Sequence, residues 1–224
     1  MGLFVHLYLP HSENIMAIQA IVFDIGGVLE FTPRTGWIER WEAQLQLQPG
    51  GFQERLGEVW AAGSLGTISL EDVERRISKI LKLDPVQVAA LMQDSWHEYV
   101  GTLNVELTAY FARLRPRYRT AIISNSFVGA REREQELYQF ADLCDLIIYS
   151  HEVGVAKPER RIFELACAQL GVLPAEMVFL DDVEVNVEAA RQLGIYAILF
   201  QNTAQAISDI EAVLGEATTH VDSG

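Results

Sequence analysis

Three carboxylates, a lysine and a serine stand in this chain where side chains can do chemistry. Asp24 closes an apolar run at residues 18–23 (IQAIVF) and is followed by the doublet Gly26–Gly27. Ser124 and Asn125 follow a second run at 120–123 (TAII), and Asp181 and Asp182 follow another at 177–180 (MVFL). Lys157 precedes Pro158 in the string GVAKPERRIF. Carboxylates serve as nucleophiles, as proton-transfer groups and as ligands for hard cations, and an ammonium balances negative charge beside them. Taken singly, each residue also has a structural reading. An Asp after a strand is a turn residue or helix cap, Lys-Pro opens a helix, and an Asp pair complements a helix dipole. Gathered at one end of one sheet, they describe a site.

The elements around them predict that sheet. Short runs rich in β-branched residues occur at 18–23, 120–123, 143–149, 177–180 and 195–200, each ending in polar residues or Asp. Between them lie helical patterns at 130–140, at 158–170 with Pro158 as first residue, and at 185–193 closed by Gly194. Strands alternating with helices of this length give a doubly wound, Rossmann-like α/β core: a parallel sheet covered on both faces. Ligands of such sheets bind at the carboxyl ends of the strands.

Residues 33–104 carry no comparable strand. Helical stretches recur at 37–47, 52–62, 70–81 and 85–99, with Ser69 and Asp72 placed to cap the third. An all-helical block between the first and second strands reads as an inserted cap that opens and closes over the site. The organisation expected is thus an N-terminal extension at 1–16, an α/β core from 17–32 and 105–214, a helical cap at 33–104, and a C-terminal tail at 215–224.

The strings VFDIGGVL, IISNS, GVAKPERRIF and VFLDDVEVN, in this order, resemble the four motifs of the haloacid dehalogenase superfamily. The resemblance covers residues 17–204, and the helical insert matches that family's cap. The branch most similar contains small-molecule phosphatases. The resemblance implies an Mg²⁺-dependent hydrolase of a small phosphorylated metabolite, acting through an aspartyl-phosphate. Asp24 would be the nucleophile, with Ser124, Asn125 and Lys157 binding the phosphoryl group. Asp24, the backbone carbonyl of Gly26, and Asp182 would hold the metal, with Asp181 and Asn186 supporting them. An oxygen-rich site suits Mg²⁺, and a cation is needed to screen carboxylates from a phosphate ester.

Gly26 departs from the pattern. Phosphatases of this family usually carry there a second Asp, which protonates the leaving group and later activates water. Three readings stay open. The protein is a phosphatase, either with a substitute acid, for which Glu30, His97 and Glu98 are candidates, or favoured by a good leaving group, and some relatives with Gly here are also classed as phosphatases. It is a non-catalytic or regulatory member of the fold. Or it is a 2-haloacid dehalogenase, whose halide leaves without a proton; against this, that branch lacks the paired aspartates kept here as Asp181 and Asp182.

Composition sets the limits. The 224 residues include 17 Lys plus Arg and 31 Asp plus Glu, a net charge of −14, which argues against nucleic acid as partner. Half of the residues are hydrophobic, which excludes overall disorder, and no apolar run is long enough to span a bilayer. Residues 1–9 lack the basic start and cleavage site of a signal peptide, so the expected compartment is the cytoplasm. Monomer and homodimer are both compatible with the sequence. Cys144 and Cys167 read as buried free thiols. Trp37, Trp41, Trp60 and Trp96 read as packing between cap helices rather than as pocket walls. Arg131–Glu136 (REREQE) reads as a solvated helix face, and Arg113, Arg115, Arg117 and Arg119 as a surface loop.

Overall fold

The structure, a computed structural model, describes residues 17–221; the N-terminal extension expected at 1–16 lies outside them. Along the chain come β1 (Ala20–Phe23), β2 (Glu30–Phe31), α1 (Trp37–Gln44), α2 (Gly51–Ser64), α3 (Leu70–Leu81) and α4 (Pro85–Val100). There follow β3 (Thr102–Leu103), α5 (Val105–Leu114), β4 (Arg119–Ser124), α6 (Ala130–Tyr138), α7 (Phe140–Leu143) and β5 (Leu146–Tyr149). The chain ends with α8 (Ser150–Val153), α9 (Arg160–Leu170), β6 (Met177–Asp181), α10 (Glu184–Gln192), β7 (Tyr196–Leu199) and α11 (Thr203–Val221).

Five strands form one parallel sheet in the order β5-β4-β1-β6-β7. The chain leaves β1 toward β4 and β5, then returns to the other side of β1 for β6 and β7. The strand order therefore reverses at β1, and in such sheets that switch point is where a ligand crevice opens. Alternation along the strands builds two cores. Ile21, Phe23, Ile122 and Leu180 face α5 and α11, while Ala20, Val22, Ile123 and Phe179 face α9 and α10. Full burial of each large apolar side chain contributes about 1.5–3 kcal/mol, which makes the sheet a rigid platform for the loops at its carboxyl edge.

Helices α1–α4 pack around a third core of their own, containing Trp37, Phe52, Leu56, Ile77 and Leu91. Their starts follow from local chemistry. Ser69 Oγ accepts the N–H of Asp72, as its position predicts, and Asp84 with Gln87 forms a reciprocal capping box ahead of Pro85.

Several expectations are corrected. The stretch read as strandless contains β3, which pairs antiparallel with β2 and ties together the two chain crossings between core and helical block. Two residues are too few to show an alternating pattern, and the pairing is set by contacts distant in sequence. Pro158 does not open a helix: α9 begins at Arg160, and the Lys157–Pro158 peptide is cis. The helix expected at 130–140 breaks at Gln139, whose φ is 54°. The last helix continues to Val221, past the expected tail boundary. Among the described residues no helix is long and apolar enough to cross a membrane.

Candidate active site

Parallel registry places the candidates side by side. Phe23 is paired with Ile122 on β4 and with Leu180 on β6, so Asp24 leaves β1 level with Asp181, and its N–H donates to Leu180 O at 2.9 Å. Lys157 reaches in from the loop beyond α8. Its Nζ lies 2.7 Å from Asp24 Oδ1 and 2.6 Å from Asp181 Oδ2, and all three side chains are buried. Asn125 fixes that loop: its Nδ2 donates to Lys157 O and its Oδ1 accepts the Lys157 N–H, both at 2.8 Å. The Asn125 amide is thereby engaged with backbone at both ends, while the residue also lines the groove above Asp24.

Each carboxylate has its own surroundings. Asp24 Oδ1 also accepts the Ile25 N–H at 2.8 Å. Asp181 accepts Lys157, the Val183 N–H and Asn186 Nδ2 across its two oxygens, which uses its acceptor capacity in holding Lys157. Asp182 is exposed at the groove. Burial raises the Asp24 carboxyl above the ordinary carboxylate range, an effect that Lys157 opposes and the neighbouring Asp181 adds to. Burial and then the charge of Asp181 also raise Asp182.

Oxygens of Asp24, Asp181 and Asp182 lie within 4.8 Å of one another. A hard divalent cation fits this all-oxygen donor set. Asp24 and Asp182 are the residues left to hold one, because Asp181 is occupied by Lys157 and Asn186. Gly27 makes room for that arrangement. It has φ of 77°, and a Cβ there would lie 2.5 Å from Asp182 Cγ. In the sequence, only the doublet Gly26–Gly27 marks the place of this close approach.

The remaining candidates divide. Ser124 is the buried last residue of β4, next to the groove residue Asn125. Gly26 borders the groove, about 470 Å³ in volume, and a Cβ there would meet only Thr32 Oγ1, at 4.0 Å. Thr32, on the same wall, has no signal in the sequence. None of the three suggested substitute acids lines this groove. Glu30 is buried in β2, and burial followed by Glu134 and Asp24 pushes its carboxyl up to about 9. His97 borders a separate cleft with Arg133 and Glu136. Glu98 accepts the Thr35 N–H and hydroxyl.

Two surface readings are refined. In REREQE, Arg131 pairs with Glu152 as a solvated face predicts, but Glu134 turns inward, is buried, and accepts the Tyr149 hydroxyl. Burial pushes it up to about 7. The arginine cluster is structural: Arg113 and Arg117 lie over Tyr110 and Tyr118, Arg115 pairs with Asp145, and Arg119 donates to Leu170 and Gly171 carbonyls. Cys144 and Cys167 are buried free thiols, as read.

The fold is a doubly wound α/β sheet with a helical insert, and it carries a lysine-bridged carboxylate pair at its switch point. A family profile of haloacid dehalogenase-like hydrolases matches residues 18–194, and the chain belongs to that family. It is 30% identical over 207 residues to acyl-CoA dehydrogenase family member 10 of Mus musculus, covering 88% of this chain but spanning only 19% of that protein's length. It is 23% identical over 208 residues to D-ribitol-5-phosphate phosphatase of Bacteroides thetaiotaomicron, covering 88% of this chain and 98% of that one. In fold it is similar to a family enzyme of Bacteroides thetaiotaomicron crystallised with magnesium and inorganic phosphate, with TM-score 0.71 and 23% identity over 83% of this chain and 95% of that one.

Proposed function

We propose that this chain is an Mg²⁺-dependent hydrolase of small phosphomonoesters that works through an aspartyl-phosphate on Asp24. The observation that carries the reading is the Lys157 ammonium between Asp24 and Asp181, with Asp182 exposed beside them. The phosphatases among its relatives support it. Asp24, the Gly26 carbonyl and Asp182 would hold the cation, which when bound screens the phosphoryl oxygens from the carboxylates.

A carboxylate oxygen of Asp24 attacks phosphorus, the bond to the ester oxygen breaks, and the alcohol departs with a proton. Lys157 and the Ser124 hydroxyl, with backbone N–H groups after β4, neutralise charge on the phosphoryl group. Asp181 and Asn186 orient Lys157 for this, and Asn125 anchors its loop. Water then attacks phosphorus, releasing phosphate and restoring Asp24. Gly26 supplies no proton, so the leaving alcohol takes its proton from solvent and good leaving groups are favoured.

The test is phosphate release from p-nitrophenyl phosphate with Mg²⁺, comparing wild type with Asp24→Asn. Turnover by wild type alone is expected. No release by wild type across a broad panel of esters overturns the proposal and leaves a non-catalytic binding protein.

A further inference from the structure

Beside the Asp24 groove, and sharing Asn125 with it, lies a second cavity of about 420 Å³, within the range of small-molecule sites. Its walls come from both layers. Trp37, Trp60, Trp96 and Tyr99 belong to the helical block, and Phe127 to the loop that leaves β4 two residues after Asn125. The aromatic edges interlock: Trp60 and Trp96 meet Phe127 edge-on, with ring centroids 5.2 and 6.0 Å apart. Gly63 of α2 seats the Phe127 ring, which a Cβ at that position would overlap. The tryptophans thus pack the cap, as expected, and three of them also line a cavity.

We infer that this cavity receives the leaving group and selects the monophosphate esters of apolar alcohols, aromatic or aliphatic. The inference rests on the phosphomonoesterase reading above and narrows its substrate class. No Asp, Glu, Lys, Arg or His is among the lining residues. Three polar side chains at the cavity's edge, Asn125, Ser126 and Ser150, bond back into the protein, while the buried Trp96 Nε1 has no partner. Ser126 Oγ is 2.6 Å from His151 Nδ1, and Ser150 Oγ accepts the Ser126 N–H and donates to Ser64 O. The Asn125 amide is engaged with Lys157 at both ends. Aromatic faces also stack on sugar rings, but a polyhydroxyl leaving group needs donors and acceptors around the ring edge. Here it would exchange water for three side chains already committed elsewhere and one indole N–H. An apolar chain or ring loses nothing of that kind and gains contact with rigid aromatic walls. Asn125 lines both the Asp24 groove and this cavity, so the two adjoin and an ester held at Asp24 has these walls within reach of its substituent.

The experiment uses the full chain with Mg²⁺ and measures phosphate release from four primary alkyl esters matched in leaving-group type. These are 2-phenylethyl phosphate and n-octyl phosphate against glycerol 3-phosphate and glucose 6-phosphate. Acetyl phosphate, whose leaving group is too small to fill the cavity, is a fifth substrate, with Asp24→Asn as blank. The apolar pair should exceed the hydroxylated pair in kcat/KM by about tenfold or more, chiefly through KM. Trp60→Ala, which removes a wall, and Ser95→Glu, which puts a charge in it, should each lower that ratio about tenfold. A ratio within one preparation does not depend on how much of the variant is folded. Equal kcat/KM for the two pairs, or preference for the hydroxylated pair, overturns the inference, and acetyl phosphate turnover in that case keeps the hydrolase reading. Failure on all five substrates overturns the hydrolase reading, and the pocket assignment falls with it.

Discussion

The carboxylate of Asp182 occupies the space where a side chain on Gly27 would begin. Residue 27 borders the groove at φ 77°, and a Cβ there would lie 2.5 Å from Asp182 Cγ. Two loops from adjacent strands thus approach at a distance only glycine permits, and this brings Asp182 to within 4.8 Å of Asp24 and Asp181.

Gly27→Ala should therefore displace Asp182 and damage the cation site more than the fold. The positive φ adds a backbone cost of about 1 kcal/mol, as expected for a non-glycine residue there. Mg²⁺ affinity, followed by calorimetry, should fall about tenfold or more, as outer partners of metal sites commonly show. Unchanged Mg²⁺ affinity would remove Asp182 from the site.

Lys157→Met leaves Asp24 and Asp181 buried without the ammonium now bridging them. Removing one partner of a buried ion pair costs about 3–5 kcal/mol, a loss that urea denaturation would register, and phosphate release should cease. Lys157→Arg should not restore activity, because a planar guanidinium cannot replace one compact ammonium between two carboxylates.

Gly26→Asp meets open space, with Thr32 Oγ1 at 4.0 Å as the nearest neighbour of the new Cβ. The variant should fold normally. General acid–base catalysis is worth about 10²–10⁴-fold, so turnover of alkyl phosphates should rise by a larger factor than turnover of aryl phosphates. Equal gains on both would show that proton transfer to the leaving group is not the limiting step.

Glu134 predicts a pH-dependent stability. Burial raises its carboxyl from 4.5 to about 7, against the Tyr149 hydrogen bond and the charge of Arg131, with Asp24 adding to the rise. A raised pKa means the folded state holds the proton longer. The stabilising contribution is complete below 4.5 and is lost as pH rises through about 7, a change on the order of 3 kcal/mol. Glu134→Gln stays neutral, so relative to wild type it should gain stability between pH 5 and pH 8 in urea titrations. A constant difference across that range would count against a neutral Glu134 in the folded protein.

What the sequence determined by itself is local. Apolar runs ending in Asp, Ser or Asp-Asp identify buried strands and the edge that carries chemistry, because alternation and strand-end polarity are encoded within a few residues. The same holds for Ser69 capping α3, and for the four motifs that mark Asp24, Ser124, Lys157 and Asp182 as one set. The strand order, which sets β1 between β4 and β6, needed the tertiary structure, as did the short β2–β3 pairing. So did the contact by which the supporting Asp181 holds Lys157 while Asp182 faces the groove. The inward turn of Glu134, and the aromatic wall shared by α2, α4 and the loop after β4, are likewise invisible in the string. Each of these depends on which faces meet across long stretches of chain, and a side chain's burial, partners and charge state follow from that meeting rather than from its neighbours in sequence.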